Sequence, residues 1–297
     1  MRNLLTILLL CMTSFVHGQT SKVPKTSRVE LAIGTLDTPV SAANPLPTLP
    51  ADNQLERSRG LIDGQLVIRK FGSNPSIGTT AEVISTLSST TYGGFLQAAT
   101  TVRIKAGGNA ADTAAGLGAR SIAVSGLDSN WNVATETIAT AGGSASSATS
   151  TSFIRVNRAW VTDVGTYHGS NTGPIVVENS SGGTDLVQIG AGLGQTEIAV
   201  YTIPAGYTGW LRGARWMIEG SKTITLLGLQ NRNADDVTTP FTGYREVFRY
   251  PGLVGAGSTA FTGYTELPAK TDFWMTGTAA LGTGAATAIF EITLVKD

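Results

Sequence analysis

Asn109-Ala-Ala-Asp112-Thr-Ala-Ala-Gly116-Leu-Gly118-Ala-Arg120-Ser-Ile-Ala-Val-Ser-Gly126-Leu-Asp128-Ser-Asn130-Trp131 carries the pattern on which the chain is built. A small-residue loop with two close glycines leads into a short alternating segment. Ile122 and Val124 point one way; Ser121, Ala123 and Ser125 point the other. That alternation predicts a half-buried strand. Gly126 and the Asp128-Ser-Asn130 cluster read as a tight turn, because Asp and Asn accept unusual backbone angles and bond their own backbone. Trp131 and Val133 are expected to start the next strand.

The same unit of loop, strand, turn and strand recurs on both sides. Gln65 to Phe71 reads as a strand stopped by Gly72-Ser-Asn74-Pro75. Ala81–Leu87 and Phe95–Ile104 are weaker strands. Trp131–Thr140 follows, then a Gly/Ser/Ala/Thr run from Gly142 to Thr151 that reads as a flexible loop. In Phe153–Val164, Ile154, Val156 and Trp160 share one face and Arg155 and Asn157 the other. Later strands are expected at Ile175–Glu178, Ile198–Ile203, Trp210–Ile218, Lys222–Leu229, Tyr244–Tyr250, Phe273–Thr278 and Ala286–Val295. The last is the clearest, with Phe290, Ile292 and Leu294 inward and Glu291 and Thr293 outward. Turn residues every eight to twelve positions, and almost no helical period, indicate an all-β chain with one or two β-sandwich or jelly-roll-like domains. The expected layout is a leader at 1–18, an extended arm or linker at 19–60, a first β domain at 61–183 and a second at 184–297.

Composition agrees with strands and turns. Charged residues are 14% of 297, against roughly 25% in ordinary domains, and 36 residues are glycine. The formal net charge is zero, so no phosphate-tracking footprint and no nucleic-acid partner are expected. Residues 1–18 join Arg2, an apolar run from Leu4 to Met12 and a terminal small residue, the layout of a secretory signal peptide cut before Gln19. The run is too short for a stable membrane span. Cys11, the single cysteine, lies within it, so the remaining chain has no disulfide and no thiolate chemistry.

The arm carries Pro39, Pro45, Pro47 and Pro50, which favour an extended, semi-rigid backbone. Val29, Leu31 and Ile33 alternate ahead of them and are the candidate assembly interface, able to add a strand to a neighbour's sheet edge. Gln54 to Gly60 reads as a turn of helix or a charged lead into the fold.

Candidate chemistry is sparse. Of two histidines, His17 lies in the leader and His168 in a turn-rich loop without an identifiable partner. There is no Gly-x-Ser-x-Gly elbow and no metal-ligand spacing. Gly190–Gly194 and Gly252–Gly257 lack the nucleotide fingerprint and read as strand-end loops. Asp235-Asp236, or Asp112 with Asp128, are the carboxylate pairs to weigh for glycoside hydrolysis, against solvated turn residues. Trp210, Trp216 and Trp274 are candidates for a sugar-binding face, against plain core aromatics. Asn179-Ser-Ser181 is a weak glycosylation sequon. No catalytic, cofactor or metal residues are assigned.

Several stretches, in order, carry a resemblance: Asn44-Pro-Leu-Pro, Asp112–Arg120 with Gly126–Asn130, Ser152–Ala159, Ala199–Trp210 and Leu267–Phe273. Together they resemble virion structural proteins of tailed bacteriophages, mainly marine and uncultured ones, from about residue 40 to the end. The resemblance implies a β-rich, non-enzymatic particle component, such as a capsid decoration, fibre, tail or neck protein. Its partners would be copies of itself, as a homo-oligomer, and other structural proteins; its location would be the virion. The apolar leader departs from that pattern. It points instead to a secreted bacterial surface or extracellular filament subunit, and more distantly to a secreted carbohydrate-binding or carbohydrate-active protein.

Overall fold

The computed structural model describes residues 53–87, 94–181, 183–219, 222–236 and 243–297. The leader and the expected interface of Val29, Leu31 and Ile33 lie outside the described residues. The first described element is α1 (Asn53–Ser58), a short helix with Glu56 in its first turn and Arg57 in its last, each favourable to the helix dipole.

The expected C-terminal strand is β15 (Gly284–Lys296), with Phe290, Ile292 and Leu294 at 2% exposure or less. It lies between β1 (Gln65–Ile77) and β10 (Tyr207–Ile218), and β13 (Gly255–Leu267) follows β10, giving a four-stranded antiparallel sheet. The second sheet runs β12 (Arg245–Leu253), β11 (Ile224–Asn231), β14 (Asp272–Ala279) and β2 (Glu82–Val83). On the β2 side of β14, β9 (Val200–Thr202) pairs with Asp272–Trp274. The third sheet is six-stranded: β5 (Val133–Ala139), β4 (Ala119–Asp128), β6 (Ser152–Val164), β3 (Thr100–Ile104), β7 (Ile175–Asn179) and β8 (Asp185–Ile189).

Within the five-stranded sheet β14 is covered on both faces, which explains its near-continuous burial. On β14, Phe273 and Met275 enter a core shared with Leu211, Phe290 and Ile292 of the four-stranded sheet. Trp274 points the other way, into a core with Val124, Phe153, Val156 and Val187 of the six-stranded sheet. An apolar run without alternation suits a strand buried on both sides. The fold is all-β and sandwich-like, and residues 54–297 form one compact unit. β1 and β2, placed in the first expected region, pair with β15 and β14 of the second. The sheets therefore do not divide at 183/184.

Several local expectations change. β1 does not stop at Gly72 but runs to Ile77. Pro75 is accommodated because the register shifts between Asn74 and Ile77, where its missing N–H is not needed. Asn74, fully buried, donates to Glu82 and to the Val83 carbonyl and accepts the Ser76 N–H, so side chains replace the interrupted ladder. Gly72 is required there: a Cβ would run into the Ala199 nitrogen and the Ile84 carbonyl.

Gly126 belongs to β4 rather than to the turn, and a Cβ there would strike the Arg155 carbonyl. The turn is Asp128–Asn132, with the Asp128 carboxylate accepting the N–H groups of Asn130 and Asn132. Trp131 sits inside that turn at a φ of 65°, and the next strand begins at Val133. The run from Gly142 to Thr151 is tied down. Ser146 and Thr149 hydroxyls accept the Ile104 and Val102 N–H groups, while their own N–H groups donate to the same two residues' carbonyls. β8 and β13 are strands that the hydropathy pattern leaves unmarked.

Candidate functional site

At one end of the six-stranded sheet, three loops are knit together around two buried polar side chains. β4 and β7 begin there, and β6 and β8 end there. Asp112, 3% exposed, accepts the Ala119 N–H at 2.8 Å through Oδ1. Both its oxygens take the Thr172 N–H, at 2.8 and 3.0 Å, and Oδ2 takes the Gly173 N–H at 2.9 Å. A buried carboxylate satisfied this way orders backbone that otherwise has no ladder. Asn171 does the same from the next loop. Its amide donates to the Gly173 and Gly190 carbonyls, each at 2.7 Å, and its oxygen accepts the Gly194 N–H at 3.0 Å.

This frame holds apolar side chains out to solvent: Leu117 at 71%, Tyr167 at 87% and Leu193 at 44% exposure. The Thr166 hydroxyl donates to the Leu117 carbonyl and the Gly165 N–H to that of Gly118, so the first two loops are tied to each other. Positions 113–118, 165–174 and 190–196 contain no Asp, Glu, Lys or Arg. His168 lies in this tip, exposed, at a φ of 57° and with its ring 3.9 Å from that of Tyr167.

Between the sheets, Arg155 and Asp272 form a buried ion pair, at 3% and 2% exposure. Arg155 Nε and Nη2 donate to the two Asp272 oxygens, each at 2.9 Å, in a fork-on-fork arrangement. Its Nη1 donates to the Leu96 and Ile154 carbonyls, both at 2.8 Å, and its guanidinium lies 4.9 Å from the Trp131 ring and 5.5 Å from that of Phe95. The Thr202 hydroxyl adds a 2.5 Å bond to Asp272 Oδ1. Asp272 and Trp274 are two apart on β14 and so face the same way, toward β6. The expected division of β6, with Ile154, Val156 and Trp160 on one face and Arg155 and Asn157 on the other, is thus not a division into buried and exposed sides. Irregular register between β4 and β6 turns Phe153, Val156 and Ala159 into the core, and Trp160 out of it, where Arg158 covers its ring at 5.1 Å.

Another buried charge is less well served. Lys70, 8% exposed, donates to the Asn157 carbonyl at 2.5 Å. Burial, reinforced by the nearby Arg158 guanidinium, pushes its ammonium down to about 7.

The remaining candidates are dispersed. Asp112 sits against the first residue of β4 and Asp128 is its last; at about 3.3 Å per residue the ten-residue strand holds them roughly 30 Å apart. Neither is placed to share a substrate with the other. Asp235 is paired with Lys270 at 2.8 Å, and the Asp236 N–H caps the Asn233 carbonyl. Trp274 is buried against the rings of Phe95 and Tyr244, and Trp216 packs against the first core and Tyr250. Trp210 is half-buried. Asn179, at the end of β7, uses its side-chain oxygen to accept the Ser181 N–H and hydroxyl. Gly190–Gly194 forms a loop of the apolar tip, whereas Gly252 and Gly255 turn the chain from β12 into β13. Among the described residues no three His, Cys, Asp or Glu side chains gather as a metal would require. No described helix is long and apolar enough to cross a membrane. No family model matches the chain, and no match to a curated protein was found.

Proposed function

We propose that the chain is a structural subunit of a phage particle, non-enzymatic, acting by assembly with copies of itself and with other structural proteins. The observation that carries this reading is the tip of the six-stranded sheet. Large apolar side chains are exposed there on loops fixed by buried Asp112 and Asn171 and, Asp112 apart, free of carboxylates, lysines and arginines. Exposed apolar clusters on rigid backbone suit protein interfaces, because burial of the side chains gains free energy with little ordering cost. The likeness of Asp112–Arg120 and Ser152–Ala159 to phage virion proteins supports the particle setting.

The test is a Leu117→Ser, Tyr167→Ser double variant. Its melting temperature should match the parent's, since exposed positions away from caps and cores change stability by about 0.5 kcal/mol or less. Sedimentation velocity should show the parent as a multimer and the variant reduced to smaller species. A variant that assembles like the parent removes the tip from the interface. The leader favours a second reading, a secreted surface or filament subunit. Intact mass of the native assembly separates the two: a chain starting at Gln19 supports export, and one starting at Met1 or Arg2 supports assembly in the cytoplasm.

A further inference from the structure

The outer face of the four-stranded sheet carries a cavity of about 270 Å³ that no feature of the assembly reading uses. Its shape comes from an irregularity in β10. Register shifts between Leu211 and Gly213 against both neighbours. On the β13 side, Leu211 faces Thr265 and Gly213 faces Ala260, so the four residues 261–264 stand opposite Arg212 alone. The surplus chain rises as a rim ending in Tyr264. Gly213 contributes no side chain, and with Ile289 it leaves the floor low and apolar.

Charge in this cavity is unbalanced. Glu291 is bound mainly from outside it, by Arg69 Nε at 3.0 Å and Nη2 at 2.6 Å. Arg215 reaches the same oxygen only at 3.9 Å and is 61% exposed. Arg212 lies over the Tyr264 ring at 5.4 Å, and its bond to the Tyr264 hydroxyl is long, at 3.5 Å. Glu291 thus has its close ion pair with Arg69, while Arg212 and Arg215 both line the cavity without a close carboxylate partner among the described residues. An arginine fork matches a planar carboxylate in two parallel bonds. The half-exposed Tyr264 ring and the Ser258 hydroxyl add an aromatic surface and a polar partner beside it.

We infer that this cavity binds the carboxylate of an acidic sugar residue, of the uronic acid type. Arg212 and Arg215 hold the carboxylate, Tyr264 packs on the ring, and the Ser258 side chain meets ring hydroxyls. The volume lies just below the usual range of pockets for drug-sized ligands and so suits a single small ring. The inference does not depend on the assembly reading, since the cavity and the apolar tip lie on different sheets.

Calorimetric titration of the full chain with glucuronate, glucose and inorganic phosphate at low salt tests it. Glucuronate should bind in the millimolar range, about tenfold tighter than either control. Its affinity should fall as salt is added. An Arg212→Gln, Arg215→Gln double variant should lose about tenfold or more in affinity with an unchanged melting temperature. Absence of saturable glucuronate binding overturns the site. Phosphate binding as tight as glucuronate overturns the sugar assignment and leaves a plain anion site. Full affinity in the double variant places the ligand elsewhere and overturns the inference.

Discussion

Arg155 and Lys70 are both cations withdrawn from water, yet among the described residues one is surrounded by partners and the other has a single carbonyl. Arg155 makes four hydrogen bonds, two of them to the carboxylate of Asp272, and has aromatic rings on its flanks. Lys70 has the Asn157 carbonyl and, nearby, a second positive charge at Arg158. Taking a charge out of water costs several kcal/mol unless geometry returns it. Arg155 joins the six-stranded sheet to the five-stranded one. Lys70 reaches from β1 to β6 and is held close to losing its proton. Burial alone therefore says little about what a charged side chain contributes; the shell around it decides.

The largest expected effect tests the complete shell. Asp272→Leu leaves the Arg155 guanidinium buried without its counter-charge and should cost about 3–5 kcal/mol in urea unfolding. Arg155→Met with Asp272→Leu should cost less than either single change, because no unpaired charge is left behind. A double variant as unstable as the sum of the singles would mean that the two side chains are not coupled, and that the ion pair is not what the single changes lose.

An intermediate effect asks whether the counter-charge or the number of hydrogen bonds matters more. Asp112 has no ion pair among the described residues, but it accepts from three backbone N–H groups. Asp112→Asn keeps the shape and gives up one accepting oxygen and the charge. It should destabilise by about 1.5–3 kcal/mol, with faster amide hydrogen exchange at Thr172 and Gly173 than at Ala119. Uniform exchange across the three would remove Asp112 as the organiser of the tip.

The sequence made some of this legible. Alternation in Ala286–Val295 and in Ser121–Ser125 placed both strands and their inward faces, because a side chain's direction follows from a two-residue period wherever register is regular. The same rule failed in β6, where shifts of register against β4 turned Arg155 inward, and no local pattern marks such a shift. Asp272 could have been suspected: a carboxylate opening the run Phe273-Trp-Met275 has no solvent side to face. β13 was hidden because Gly255–Ala260 lacks large apolar residues; its place comes from pairing with β10, a non-local fact. The apolar tip left a weak signal in Leu117 and Tyr167, large side chains set among glycines. The Asp112–Thr172 contact, sixty residues apart, left none.

The smallest expected effect has the opposite sign and belongs to Lys70. In the folded chain its ammonium titrates near 7, whereas in the unfolded chain it has its ordinary value of 10.5. Between those values the unfolded state binds more protons, so stability rises with pH across that window. Below pH 7 both states are protonated and the folded chain bears the whole cost of the buried charge. Above 10.5 both are neutral and the cost is gone. Lys70→Met removes the titrating group while retaining most of the apolar stem's packing, at the expense of a donor to the Asn157 carbonyl. At pH 6 the variant should be more stable than the parent by about 1–2 kcal/mol, a gain offset in part by that orphaned carbonyl. By pH 10 the gain should vanish or reverse, because the parent has by then shed its proton. Urea unfolding at pH 6, 8 and 10 reads the difference directly. Parallel curves for variant and parent would show that Lys70 keeps an ordinary affinity for its proton, and that one carbonyl serves a buried ammonium as well as the full shell serves Arg155.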